Sequence, residues 1–450
     1  MPCGGRPFFD EDLLAMVIPA VVRPSIACAL YLIPAARTVE MDDRSRNQGP
    51  RGLRRRLTLP MLVLYGVGVT VGAGIYVLIG AIAAHAGMRA PLAFALAGIV
   101  MGFTAASYAE LSTRFPVSAG EAAYVKEAFR YRSLSIAVGA LTILIGVISA
   151  AAVSIGSAGY IREFADLPEE TILIAVVLAL ALIAAWGILE SVLLASLFTL
   201  IEVGGLLAII VAGMGAETSV IPSLPLMLTP TLDPSIWTGI ALASLLAFFA
   251  FIGFEDLANV VEEVREPQRT MPLAIALTLV ISVILYFWVA AIAVTAVPLE
   301  QLSASRAPLS LVFQKVAGIS PAAISAIAIV ATLNTVLVQM TMASRVMYGM
   351  ARHGDFPQVF GRVGATTGTP LVATATAALG VLLFALALPI ERLAEWTSLA
   401  TLFVFALVNL SLLVVRRQAR PIPPGAFVVP GWVPAAGALT CLLMMAGALL

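Results

Sequence analysis

The chain has 450 residues, of which 60% are hydrophobic and only 12% charged, with 26 basic residues against 26 acidic ones. Soluble domains run at about 45–50% apolar and about 25% charged, so this composition excludes a soluble globular protein and indicates one that lives in a bilayer. Cys3, Cys28 and Cys441 are too scattered for a redox or metal motif, and His85 and His353 are the only histidines.

Residues 1–40 fit a membrane pattern poorly. Pro19, Arg23 and Pro24 interrupt their apolar run, and Asp10, Glu11 and Asp12 stand where a signal peptide carries basic residues. Met41, followed by "DDRSRNQGPRGLRRR", reads as a natural start. Residues 1–40 are therefore expected to be an extension without a role in function, and 41–59 a basic tail. A window of about 19 residues then finds apolar segments over 60–84, 90–111, 135–160, 171–188, 192–214, 236–261, 272–297, 321–349, 370–389, 394–415 and 427–450. Each is near the ~20 residues that a helix needs to cross the hydrocarbon core, so eleven spans are expected. The last reaches the final residue, so either the protein ends in the membrane or a further span is missing.

With alternating spans, eighteen basic residues fall on the side of the tail, among them Arg114, Lys126, Arg265, Arg345 and Arg416, and five on the other: Arg89, Arg162, Arg306, Lys315 and Arg392. The positive-inside rule puts the tail in the cytoplasm, and a multi-pass protein of the cytoplasmic membrane is expected. No G-x-S-x-G, Walker or HExxH pattern occurs. No enzyme activity, cofactor, metal or nucleic-acid partner is expected.

The first span contains "GVGVTVGAGIYV", residues 66–77, with Gly72, Ala73 and Gly74 at mid-membrane. Glycine costs about 1 kcal/mol relative to alanine inside a helix, and unpaired backbone in hydrocarbon costs more. Gly66 and Gly68 read as close-packing positions. The sixth span carries Gly253 at its middle, followed by Glu255 and Asp256. Breaks in the first and sixth spans are what a five-plus-five inverted repeat produces, with residues 60–215 as one half and 236–415 as the other, and such a pair points to a transport site. Half-helix N-termini present N–H groups to an anion and the opposed carbonyls suit a cation. A ligand carrying both charges, an amino acid, satisfies both.

These stretches resemble the first- and sixth-span signatures of the amino acid-polyamine-organocation permeases. Similar blocks are "YAELSTRFPVSAGEAAYVKEAF" (108–129), "ASRVMYGMARHGDFP" (343–357) and "RRQARPIPPGAFVVPGWVP" (416–434), so the likeness runs from about residue 57 to the C-terminus in family order. The resemblance implies an all-α transporter, usually of twelve spans, with a substrate site between the broken helices. By position, the backbone of Gly72, Ala73, Gly74 and Ile75 would hold a carboxylate. The carbonyls of Phe249, Ala250 and Ile252 beside Gly253 would take an ammonium, and Phe251 or Phe254 would cover the substrate.

Three charged features complete the reading. Glu255, within the interrupted span, is either a proton carrier or a structural hydrogen-bond partner, with Asp256 nearer water. Glu202 stands alone in the fifth span, where many family members have a lysine. It is expected to carry a proton, to bind a cation such as sodium together with Thr332, Asn334 or Thr335, or to remain a buried neutral carboxyl. Glu110 and Arg114 read as a local i, i+4 pair, and Glu190 and the 262–269 loop as solvated anchors. The expected function is import of a neutral amino acid by alternating access with proton coupling, because the third, eighth and tenth spans offer no carboxylate placed to pair a cationic side chain; Glu255 could still be that partner. The alternatives are a cationic amino acid or polyamine transporter or exchanger and, from another class, a non-transporting sensor or channel.

Overall fold

The computed structural model describes residues 57–116, 120–186, 192–216, 220–229, 233–352, 354–364, 367–418 and 421–449. The 1–40 extension, most of the basic tail, Glu190, His353 and Arg420 lie outside the described residues. The helices are α1 (Leu59–Val71), α2 (Ala73–Ala86), α3 (Ala90–Arg114), α4 (Gly120–Phe129), α5 (Arg132–Ile161), α6 (Glu169–Trp186), α7 (Val192–Gly215), α8 (Val220–Leu228), α9 (Pro234–Phe249), α10 (Pro267–Ala296), α11 (Leu299–Ala304), α12 (Pro308–Ala317), α13 (Ala322–Arg352), α14 (Leu371–Ala387), α15 (Ile390–Arg417) and α16 (Val433–Leu449). A 3-10 helix, Phe254–Glu263, follows α9.

Every apolar segment expected from the sequence overlaps helix among the described residues; the first covers both α1 and α2, and the sixth runs from α9 into the 3-10 helix. Among the described residues, eight helical stretches are long and apolar enough to cross a membrane, and the first of them, Leu59–Arg114, contains two of the expected segments. Leu371–Ala387 and Val433–Gly447 are apolar but shorter. Four helices were not foreseen: α4, α8, α11 and α12 lie in connections and are too short for a span-length window.

Local sequence sets the starts. Pro60, Pro91, Pro234, Pro267 and Pro308 occupy the first turn of α1, α3, α9, α10 and α12, where a missing N–H costs nothing. Asp233 caps α9 by accepting from the Ser235 N–H at 2.9 Å. On α10, Met271, Ile275, Thr278, Ser282, Tyr286 and Val289 are buried, while Leu273, Leu277, Val280 and Ile284 are exposed. The large aliphatic side chains on that outer face suit lipid, and the small and polar ones turn inward.

Two groups of helices pack together. One joins α1 and α2 with α3, α9 and α10; the other joins α5 with α6, α13 and α14, and α7 and α15 each touch both groups. The start of the described chain is tied to the 262–269 loop: the Leu57 N–H donates to the Glu263 carbonyl and the Arg265 N–H to the Leu57 carbonyl, each at 3.0 Å.

Candidate functional site

Both expected breaks are present. Gly72 separates α1 from α2 with φ −42° and ψ −132°, outside the helical region. In the sixth span α9 stops at Phe249. Three tight turns follow, with the N–H groups of Ala250, Phe251 and Ile252 donating to the carbonyls of Ala247, Phe248 and Phe249 at 3.1, 3.0 and 3.2 Å. Gly253 then takes φ +130°, which side chains rarely tolerate. Its Cα also leaves no room for a Cβ, which would sit 2.7 Å from the Val69 carbonyl oxygen. Beyond it, ten residues of 3-10 helix run to Glu263, long for a conformation that seldom exceeds three or four residues. Residues there advance by about 120°, not the 100° of an α-helix, so Glu255 and Asp256 diverge more than expected.

The two breaks touch. A Cβ on Gly74 would overlap the Cα of Ala250, and one on Gly72 would overlap the Thr335 hydroxyl. The Ala73 N–H donates to Thr335 Oγ1 at 3.2 Å, and the Gly253 N–H to Glu255 Oε2 at 2.8 Å. Buried tyrosines reach backbone carbonyls around the breaks: Tyr286 O–H lies 2.7 Å from the Thr70 carbonyl and 2.8 Å from that of Ala250. Tyr76 O–H donates to the Glu202 carbonyl at 2.7 Å and Tyr160 O–H to the Tyr76 carbonyl at 2.6 Å. In hydrocarbon such partners are what make a broken helix tolerable.

The other expected site residues divide. Ile75 is fully buried. Phe251 packs between Phe94 and Tyr286, ring centroids 6.4 and 4.9 Å away; Phe254 packs between Tyr108 and Phe405, both at 5.5 Å. Both rings therefore belong to aromatic clusters of the scaffold. Glu202, on α7, is wholly buried; Oε1 lies 3.5 Å from Asn334 Nδ2 and Oε2 has no partner among the described residues. Thr335 joins this region to Ala73, whereas the Thr332 hydroxyl donates back to Ala328 of its own helix at 2.8 Å.

A cavity of about 580 Å³ approaches the sixth-span break, lined among others by Ile252, Glu255, Asp256, Gln339, Thr401 and Glu121. Lys126, Arg345 and Asp355 also border it. On the opposite side, α11 and the chain after it press on α2 and α5: a Cβ on Gly80 would meet the Leu302 carbonyl oxygen at 2.6 Å, and one on Gly159 would overlap that of Arg306. Arg306 pairs with Glu169 at 2.9 Å there.

Sequence reasoning missed Tyr286 and Tyr76, whose signal was a phenol at mid-span, Tyr160, at the end of its span, and Glu121, hidden in a connection. Glu121 is buried and accepts from Tyr108 O–H at 2.8 Å. Burial pushes its carboxyl above the usual range, opposed by hydrogen bonds from its own backbone and from Tyr108. Asp256 is half-buried, accepts from Asn259 Nδ2 at 3.2 Å and borders the cavity. Glu110 is more than a local pair: fully buried, it accepts from Arg114 Nε at 2.8 Å, Arg416 Nε at 3.0 Å and the Val429 N–H at 2.8 Å, joining α3 to α15 and the chain before α16.

Residues 57–450 match the family model described as amino acid permease. The chain is 31% identical over 422 residues to the vacuolar cationic amino acid transporter 2 of Arabidopsis thaliana, covering 87% of this chain and 65% of that protein's length. It is 30% identical over 431 residues to a branched-chain amino acid permease of Bacillus subtilis (strain 168), covering 88% of this chain and 89% of the relative. A methylthioribose transporter of the same bacterium is 26% identical over 91% of this chain and 92% of its own. The family match over residues 57–450, on a helical scaffold broken in the first and sixth spans, identifies the chain as a member of the amino acid permease family.

Proposed function

We propose that the protein is a secondary active transporter that imports an amino acid across the cytoplasmic membrane by alternating access, with its N-terminal tail in the cytoplasm. Residues 60–215 and 236–415 form the halves of an inverted repeat in this reading. The observation that carries it is the meeting of two mid-membrane breaks at Gly72–Ile75 and Ala250–Gly253. N–H groups at the start of α2 would receive the carboxylate and carbonyls of Phe249, Ala250 and Ile252 the ammonium. The Phe249 carbonyl already accepts from Ile252 and that of Ala250 from Tyr286, yet each carbonyl oxygen has a second lone pair. Gly74 and Ala250 must separate to admit a ligand.

A neutral substrate fits the cavity wall opposite the break, which offers Gln339, Thr401 and Gly146 but no carboxylate from α5, α13 or α15. A cationic substrate is the second reading, favoured by Glu121, Glu255 and Asp256 along one wall of the same cavity and by the substrate named for the Arabidopsis relative. Proton coupling is assigned to Glu202, whose Oε2 is buried without a partner and whose Oε1 faces Asn334 beside the Ala73–Thr335 contact. A proton added to Oε2 would relieve an uncompensated buried charge.

Uptake of neutral and cationic amino acids into proteoliposomes, with and without an inward proton gradient, tests this for the wild type and Glu202→Gln. Gradient-driven accumulation of a neutral amino acid, with loss of only the gradient dependence in Glu202→Gln, is the expected result. Accumulation of lysine or arginine alone supports the second reading. Equilibration without accumulation, or binding without uptake, contradicts a coupled transporter and favours a channel or a sensor.

A further inference from the structure

Tyr286 has one hydroxyl proton and two backbone carbonyls to serve. The carbonyls belong to Thr70, in the last turn of α1, and Ala250, just past the end of α9, at 2.7 and 2.8 Å. Carbonyls at helix C-termini lack intrahelical partners and share the partial negative charge of that end. A single O–H donates fully to only one of them at a time, so the pair is one donor short. The Thr70 hydroxyl, 2% exposed, has no partner among the described residues. Tyr286 cannot turn aside, being fully buried with its ring held by Phe94 at 5.5 Å and Phe251 at 4.9 Å.

We propose that the Tyr286 hydroxyl is a stand-in for the substrate's ammonium group, holding the Thr70 and Ala250 carbonyls together when the carrier crosses the membrane unloaded. The inference rests on the transporter reading above. When an amino acid binds, its ammonium, with three N–H donors, serves both the Ala250 and the Thr70 carbonyls, and the tyrosine proton is no longer needed there. When the amino acid leaves, the hydroxyl again spans both carbonyls, and Gly74 closes on Ala250. Tyr286 is thus a positioning residue for the return step, and its proton is required most when no ammonium is present.

Net uptake needs the unloaded return, whereas exchange of internal for external amino acid does not, so the two rates separate this role from a structural one. In Tyr286→Phe, net uptake is expected to fall at least about tenfold, the scale of one lost buried hydrogen bond, while exchange stays within about threefold of wild type and its KM falls. The substrate-free melting temperature of the variant should drop, with saturating amino acid narrowing the gap to wild type. Equal loss of net uptake and exchange, or no change in either, overturns the proposal. A variant that folds only when purified with amino acid supports it; one that misfolds regardless overturns it. Failure of the wild type to transport or exchange any amino acid removes the transporter reading itself, and this inference with it.

Discussion

Glu110, fully buried, takes hydrogen bonds from two guanidinium groups and a backbone N–H. Glu110→Gln leaves Arg114, itself buried, and Arg416 without a counter-charge, and breaking a buried pair in this way costs about 3–5 kcal/mol. Denaturation in detergent should register that loss. Arg392→Ala, which removes a pair whose arginine is 66% exposed, should change stability by less than about 1 kcal/mol. Glu121 gives a pH signature. Its folded pKa is raised from the ordinary 4.5 by burial, so its contribution is fully present below that value and is lost as pH rises through the higher folded value. The melting temperature of the wild type should therefore decline more steeply than that of Glu121→Gln as the pH rises above the ordinary 4.5, and equal slopes would contradict the assignment. Glu110 was readable only as an i, i+4 neighbour of Arg114, because Arg416 and Val429 lie some 300 residues away in sequence. Glu121 lies in a connection outside every span-length apolar run, so nothing in the sequence marked it as buried.

At the scale of elements, the helices that cross the bilayer were legible because lipid demands long apolar runs, and the breaks because glycine has few uses at mid-membrane. Gly72 and Gly253 stand at the two interruptions, where conformation and close contact require them. Gly66 and Gly68 are packing positions, against Thr278 and Thr199. What the sequence left unread is the detail after each break. Nothing in "FEDLANVVEE" distinguishes 3-10 from α-helix, since that choice is imposed by the contacts of Gly253 with Val69 and of Glu255 with its own turn. The aromatic placement of Phe251 and Phe254 depends on Phe94, Tyr108, Tyr286 and Phe405 from three other helices. The connections that form α4, α8, α11 and α12 are too short and mixed for a periodicity argument.

On the scale of the whole molecule, one group of helices carries both breaks, and the second group lies against it through α13, whose Thr335 holds the Ala73 N–H. A cavity on the side of Lys126 and Arg345 reaches the sixth-span break, while α11 and the chain after it lie on α2 and α5 at the other side. In the alternating access proposed above, rocking one group against the other would exchange which side is open. That motion depends on the close approach of the breaks, and the glycine at their contact gives the most direct test. Gly74→Ala inserts a methyl group where the Cα of Ala250 already sits, whereas Gly102→Ala adds one at ordinary contact, 3.8 Å from Leu279. Exchange of labelled amino acid in proteoliposomes should be abolished by Gly74→Ala and retained by Gly102→Ala, with both proteins folded. Wild-type exchange by Gly74→Ala would contradict the claim that the two broken helices form the substrate site.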